Sequence, residues 1–162
     1  MCCPRRFHLV PPPVLALALC ALAPALASAQ MGGMAMPEGR VMAPSKYGFD
    51  ETVSRVKQAV TDQNLMVVFT ADHQAMLRMV GKETKGMLTI EFFHPRYGKT
   101  IFETNHAAGI EVPLRLVVME GDMGTMVSYD KPSYVFRKYK GLEALGRELD
   151  GVVTAITASV AK

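Results

Sequence analysis

All three cysteines of this 162-residue chain, Cys2, Cys3 and Cys20, lie in an N-terminal segment that is predicted to be removed. The mature chain then has no thiol that could form a disulfide, ligate a metal or act as a nucleophile. Such a domain must be held together by its apolar core alone. About 130 residues remain after removal, and a chain of that length can bury one sufficient core. We therefore expect a single cysteine-free domain.

The N-terminal segment, residues 1–29, has the three parts of a signal peptide. Arg5 and Arg6 give a positive start, residues 14–26 form an apolar run, and small residues precede the cleavage position at Ala29. The apolar run is shorter than the ~20 residues that a permanent membrane helix needs. We predict cleavage after Ala29, export to the periplasm or the medium, and no stable membrane insertion of the mature chain.

Lipidation at Cys20 is the alternative to cleavage after Ala29. A lipidated cysteine normally follows a small residue, whereas the bulky Leu19 precedes Cys20. The sequence therefore favours cleavage after Ala29. A mass spectrum of the mature chain distinguishes the two, because Gln30 as the first residue excludes an acylated Cys20.

The net charge of the mature chain is close to zero. The whole sequence has 18 Lys and Arg residues against 15 Asp and Glu residues, and loss of Arg5 and Arg6 leaves a net charge of +1. No block of like charges remains in the sequence. This charge pattern disfavours nucleic acid and an anionic membrane surface as partners.

Residues 30–45 are predicted to be a flexible leader that precedes a single folded domain, residues 46–162. The leader is rich in Gly, Pro, Ala and Met and has no periodicity. Thioether sulfur is a soft ligand that favours Cu(I), so Met31, Met34 and Met36 form a candidate copper site. The alternative is that the twelve methionines of the chain serve mainly as adaptable core side chains.

Apolar residues at helical spacing predict three helices. The first covers residues 49–63 and the last covers residues 142–161, each with one apolar stripe. A short helix begins after the capping residue Asp72 and ends at Gly81. Four residues of this short helix share one face, which is predicted to point into the core: His73, Met76, Leu77 and Val80.

Strands are predicted between these helices. Residues 65–70 form a short apolar run, and residues 87–93 alternate between apolar and polar side chains. Residues 114–119 and 125–129 are joined by a glycine-containing loop, which is typical of a hairpin. The end of the leader, around residues 40–43, is a candidate edge strand. The pattern predicts an α+β domain with an antiparallel sheet of four to five strands and covering helices.

Five short motifs follow one another along the mature chain. They are Phe49-Asp50-Glu51-Thr52-Val53, Asp72-His73, Phe92-Phe93-His94-Pro95, Gly109-Ile110-Glu111-Val112-Pro113-Leu114, and Tyr129 with Pro132. Their order and spacing resemble the family called domain of unknown function 302, over roughly residues 45–140. The resemblance implies an α+β fold in the order β-α-β-β-β-β-α, similar to the TATA-binding-protein-like fold, and a homodimer. It carries no implication of DNA binding, because a shared fold does not transfer function.

Two departures from the family pattern bear on any ligand set. His94, between Phe93 and Pro95, stands where family members usually have a Gly-Asn-Pro-like turn, and residues 137–140 stand where many members carry a histidine. A ligand set that relies on this second histidine is therefore not expected in this chain. The family name itself records no established activity.

Three histidines and one tyrosine are the candidate ligand-binding residues. They are His73, His94, His106 and Tyr129. The histidines lie on separate elements and lack the close spacing of a metal-ligand motif. The simpler interpretation is one hydrogen-bonded core histidine, one strand cap and one solvent-facing side chain. The alternative is that His94 and His106 meet across a cleft with Glu91, Glu103 or Tyr129, as in a metal site or an enzyme.

Catalytic motifs are absent from the sequence. It contains no glycine-flanked serine, no phosphate-binding loop and no dinucleotide fingerprint, so no catalytic residue is predicted. The leading hypothesis is a non-enzymatic exported module that dimerises and binds a small apolar or metal-bearing ligand. The second is a periplasmic copper or redox accessory protein, or an enzyme, that uses the histidines or the methionine-rich leader. The third is a structural or interaction protein whose binding surface is the dimer itself. Copper or colour in the natively purified protein would favour the second.

Overall fold

A five-stranded antiparallel sheet organises the part of the chain that the computed structural model describes, residues 36–161. The strands are β1 Arg40–Pro44, β2 Met66–Asp72, β3 Met87–Phe93, β4 Leu114–Gly121 and β5 Gly124–Asp130. They pair in the order β1-β5-β4-β3-β2. The predicted signal peptide, with Cys20, and the leader residues Met31 and Met34 lie outside the described residues.

Helices connect the strands and cover one face of the sheet. Within residues 36–161 they are α1 Phe49–Asp62, α2 His73–Arg78, α3 Pro95–Asn105, a 3-10 helix His106–Glu111, α4 Pro132–Phe136 and α5 Glu143–Ala158. The predicted α+β class is confirmed, with five strands in the sheet. No helix in this part of the chain is long and apolar enough to span a membrane.

The core lies between α1, α5 and one face of the sheet, which we call the core face. Alternation along the strands turns Ile90, Phe92 and Leu116 toward this face, and all three are fully buried. Val56 of α1 and Ile156 of α5, from the two predicted apolar stripes, are also fully buried. The opposite side of the sheet, which we call the open face, carries the alternate residues of each strand.

Side chains cap two of the helices where the sequence marks a boundary. Asp72 accepts a hydrogen bond from the backbone N–H of Ala75 at 2.9 Å and so begins α2. The Nδ1 atom of His94 accepts from the backbone N–H of Arg96 at 3.1 Å, and Pro95 occupies the first turn of α3. His94 therefore follows the end of β3 and caps the next helix.

The predicted orientation of α2 is wrong. Met76 and Leu77 are exposed, Val80 is 78% exposed, and the helix ends at Arg78 rather than at Gly81. The helix has the predicted apolar face, but α2 packs beside β3 and away from the layer formed by α1 and α5. Its first residue illustrates this, because His73 Nε2 lies 2.8 Å from the Oγ1 atom of Thr89 on the open face rather than in the core.

The two edges of the sheet differ in composition. β1 lies inside the segment predicted as leader, and it carries Pro44, which cannot donate a hydrogen bond to a further strand. Arg40 of β1 also pairs with Asp130 of β5. β2 forms the other edge, contains no Pro, Lys or Arg, and has no buried residue along its length. Its apolar side chains therefore face solvent in the single chain.

Candidate functional site

A cleft of about 330 Å³ opens at the end of the sheet where β1 begins, β5 ends and β4 begins. We call it the Glu111 cleft. Its polar lining consists of Arg40, Glu111, Arg115, Tyr129 and Asp130. Its apolar lining comes mainly from α4, α5 and the start of β4: Leu114, Pro132, Val135 and Val153. A second recess, lined also by Glu38, Tyr134 and Arg137, adjoins it and shares Glu111 and Asp130.

Glu111 is the most closely held charged group of this cleft. Only 18% of its side chain is exposed, and its carboxylate accepts hydrogen bonds at 2.7 Å from both Tyr139 Oη and Lys138 Nζ. Burial raises the pKa of Glu111, but the hydrogen bonds from Lys138 and Tyr139 and the nearby charge of Arg115 together hold it below its ordinary value of 4.5. The carboxylate is therefore ionised at neutral pH.

The hydrogen bond between Tyr139 and Glu111 raises the pKa of Tyr139, whereas it lowers the pKa of Glu111. Donation to the Glu111 carboxylate raises the pKa of Tyr139 above its ordinary value of 10.0, because removing the proton would place two negative groups side by side. Tyr139 thus stays protonated at neutral pH and serves as a hydrogen-bond donor. Efficient acid–base catalysis needs a pKa near the working pH, and both shifts move away from neutrality. The pair is suited to holding a fixed pattern of charge.

A cross-strand ion pair forms another side of the cleft. Arg40 donates through Nη2 to the carboxylate of Asp130 at 3.0 Å, and a second bond from Nε makes the contact bidentate. The hydrogen bond to Asp130 raises the pKa of Arg40. Two arginines line the cleft. Arg40 is paired with Asp130, whereas Arg115 has no ion-pair partner within 4.0 Å among residues 36–161. Its guanidinium is near Glu111, whose pKa it lowers, and the residue lies directly opposite Glu91 of β3 in the strand register, but it makes no close ion pair with either carboxylate.

The three histidines lie on three different elements. His73 begins α2 and is hydrogen bonded to Thr89, His94 caps α3, and the exposed His106 begins the 3-10 helix. No hydrogen bond among the described residues joins one of them to another. In residues 36–161, no group of three or more His, Cys, Asp or Glu side chains is placed to share a metal ion.

The other predicted site residues have separate locations. Tyr129 lies on β5 and lines the Glu111 cleft. Met36 stands at the start of the described chain and is 50% exposed, whereas Met31 and Met34 lie outside the described residues. The methionine-rich leader therefore remains a prediction from the sequence.

Sequence reasoning missed most of the cleft. Glu111 is not among the candidate residues predicted from the sequence, and its partner Tyr139 lies 28 residues further along the chain. Arg40 and Asp130 are 90 residues apart and meet only because β1 pairs with β5. Each pair depends on tertiary proximity rather than on spacing. The run Gly109 to Leu114 was a sequence feature that pointed to this region, because it leads into β4, beside which the cleft forms.

The fold and the cleft define a class of protein: an α+β domain with one helix-covered sheet face, one open face and a charged cleft at the end of the sheet. The family model described as Domain of unknown function DUF302 matches residues 41–161. The chain belongs to this family, as its resemblance predicted.

One solved structure supports the same architecture. It is the crystal structure of uncharacterized conserved protein DUF302 from Bacillus stearothermophilus, which is similar to this chain with a TM-score of 0.71 and 17% sequence identity. The match covers 76% of this chain and 98% of that chain. At this identity the likeness shows the fold alone. No curated protein matches the chain.

Proposed function

We propose that the protein is an exported homodimeric binding module, in which two copies join through β2 and each holds a small anionic ligand in its Glu111 cleft. The observation that carries the proposal is an exposed apolar surface formed by β2, α2 and the turn after α2, which we call the β2 edge. Its large side chains are Met66, Val67, Val68, Phe69, Met76, Leu77, Met79 and Val80, each between 36% and 85% exposed. An exposed apolar surface of this extent is typical of a protein interface.

The size of the β2 edge fits a second copy of the chain. The exposed fractions of its eight large residues correspond to about 800 Å² of surface on both sides of the β2 edge, as much as one partner contributes to a standard interface when all of it is covered. In a two-fold dimer the same surface serves both copies, so one pairing covers both edges at once. An additional β-strand also satisfies the free backbone groups along β2.

The charge of the β2 edge also fits self-association. Residues 65–71 contain no charged side chain, so that two copies meet there without like-charge repulsion. Natural sheets usually protect an exposed edge with lysine, proline or an inward-pointing charge. β1 has such protection through Pro44, whereas β2 has only the irregular register around Val68. The unprotected β2 edge therefore favours pairing with the β2 edge of a second copy of the chain.

The dimer is tested by changing one exposed phenylalanine. Phe69 on β2 is 57% exposed, and Phe102 on α3 is 60% exposed and lies away from the β2 edge. We expect light scattering after size exclusion to find a dimer for the unchanged chain and for Phe102→Lys, and a monomer for Phe69→Lys. A monomer of the unchanged chain at high concentration, or a dimer of Phe69→Lys, contradicts the proposal.

The ligand part of the proposal is supported by Arg115. A guanidinium without an ion-pair partner among the described residues prefers a carboxylate or phosphate, to which it donates two parallel hydrogen bonds. Glu111 and Asp130 are already occupied by Lys138 and Arg40. The volume of the cleft, about 330 Å³, suits a small molecule. These features favour a compact anion that binds Arg115.

A thermal melt with succinate and with inorganic phosphate tests this site. We expect one of these anions to raise the Tm of the unchanged protein and of Arg147→Gln, a matched change at an exposed position of α5. The rise should disappear in Arg115→Gln, because the anion loses its guanidinium partner. Equal rises in the two variants, or no rise in the unchanged protein with either anion, contradict binding at Arg115. Neither outcome bears on the dimer, which is measured without ligand.

A further inference from the structure

Three methionines lie side by side across the open face of the sheet. Met87 of β3 is directly opposite Met119 of β4, and Met119 is directly opposite Met126 of β5. Directly paired residues of antiparallel strands project to the same side of the sheet. Because their neighbours Leu88, Val118 and Val127 project to the core face, the three methionines project to the open face. We call them the methionine row.

The spacing of the row suits a shared metal ion. Neighbouring strands are about 4.8 Å apart, so the outer methionines, Met87 and Met126, start about 10 Å apart. A methionine places a sulfur-bound ion about 5 Å from its Cβ atom when the metal–sulfur bond is about 2.3 Å. Each outer methionine starts only about 5 Å from Met119, so Met119 and either of its neighbours reach one ion together. Three rotatable bonds in each side chain allow the sulfurs to converge.

The row is accessible, and the next positions along its strands carry short, uncharged side chains, one of which, Thr89, is hydrogen bonded to His73 at 2.8 Å. Met87 is 37% exposed, and Met119 and Met126 are half-buried. Beside it on the same strands run Thr89, Val117 and Ser128, which also pair directly with one another. These side chains are too short to cover the row. An ion can therefore approach the sulfurs from solvent.

We propose that the methionine row binds one soft monovalent metal ion, Cu(I). Thioether sulfur is a soft, uncharged ligand, and soft ligands select Cu(I) over Zn²⁺ and other harder ions. A thioether has no proton to lose, so that affinity at this site does not depend on the protonation of its ligands. The site is distinct from the leader methionines, from the histidines and from the Glu111 cleft. It uses β3, β4 and β5, and thus does not require the β2 edge.

The experiment is a titration of the mature chain, residues 30–162, with copper kept reduced by ascorbate and in competition with a Cu(I) chelator. The row variant combines Met87→Leu, Met119→Leu and Met126→Leu, which conserve side-chain volume and preserve the fold. A matched control combines Met66→Leu, Met76→Leu and Met79→Leu, three exposed methionines outside the row. A third variant changes Met31, Met34 and Met36 to Leu.

We expect the unchanged chain, the matched control and the leader variant to bind one Cu(I) per chain at the row, and the row variant to bind it at least tenfold more weakly. Circular dichroism of the row variant verifies that it is folded. Affinity should be equal at pH 5 and pH 8, and X-ray absorption of the copper complex should show sulfur ligands. Unchanged affinity in the row variant, loss of affinity in the leader variant alone, or a nitrogen ligand shell overturns the proposal.

Discussion

At the scale of single residues, Glu111 determines the charge pattern of the cleft. It lies at the end of the 3-10 helix, next to β4, and its carboxylate meets Lys138 and Tyr139 from the connection between α4 and α5. One side chain thus links two segments that are distant in sequence. A buried carboxylate with two donors contributes to stability only while it is ionised.

Replacing this carboxylate should lower stability in a pH-dependent way. The pKa of Glu111 is lower in the folded chain than its ordinary value of 4.5, so its stabilisation is fully present above pH 4.5 and is lost as the pH falls through the folded-state pKa. We expect Glu111→Gln to reduce the free energy of unfolding by about 1–3 kcal/mol at pH 7, and by progressively less in acid. Urea denaturation at a series of pH values measures this difference.

The control for Glu111→Gln is Glu148→Gln, the same chemical change at an exposed position of α5. The control should leave stability within about 0.5 kcal/mol of the unchanged protein. A second readout is the pKa of Tyr139, which should fall in Glu111→Gln because the carboxylate that raises it is gone. Ultraviolet titration measures the pKa of Tyr139, and the Tyr139→Phe variant identifies which signal belongs to this tyrosine. A loss of stability that is equal at acid and neutral pH contradicts the assigned role.

At the scale of elements, the close approach of α4 and α5 depends on one glycine. A Cβ atom added at Gly146 would stand 2.9 Å from the Cα atom of Ser133 and 3.3 Å from the carbonyl oxygen of Pro132. These are backbone atoms, which cannot rotate away as a side chain can. The start of α4 also contacts α5 through Asp150, whose carboxylate accepts a hydrogen bond from the N–H of Ser133 at 2.9 Å. The two helices therefore pack with almost no space between their backbones.

Two alanine substitutions on α5 should have opposite effects. Gly146→Ala forces α4 and α5 apart and should cost about 1–3 kcal/mol of stability. Gly151→Ala lies on the same helix, where an added Cβ atom has no neighbour within 4 Å. It should stabilise the protein by about 0.5–1 kcal/mol, because alanine favours a helix over glycine. Thermal or urea unfolding of both variants measures the two changes in stability. Equal changes would show that the contact between Gly146 and Ser133 is not tight.

Element prediction from the sequence succeeded where an apolar stripe meets the core of the same chain. α1 and α5 were predicted correctly because their stripes pack against the sheet. α2 was predicted to face the core because Met76, Leu77 and Val80 have the same spacing, yet they are exposed. Spacing shows that a helix has an apolar face but not what covers that face. The cleft was harder still, because Glu111 and Tyr139 meet only after the sheet and α4 are in place.

At the scale of the whole molecule, the predicted export would determine which chain folds and where it works. We expect the precursor to be cleaved after Ala29 and the mature protein to begin at Gln30, because small residues precede that position. Mass spectrometry of protein recovered from the periplasm or the medium measures the N-terminus. Recovery of the uncleaved chain from the cytoplasm alone, or an acylated N-terminal Cys20, contradicts this prediction.

The unequal edges of the sheet also set an upper limit on assembly. If two copies join through β2, the combined sheet has ten strands and ends on both sides in β1. There Pro44 and the pair of Arg40 with Asp130 discourage a further strand. Growth into fibres needs two open edges on every copy, and the sheet formed by residues 36–161 has one. The proposed dimer would therefore leave no edge for a third copy, and a concentrated solution of the protein should stay free of higher polymers.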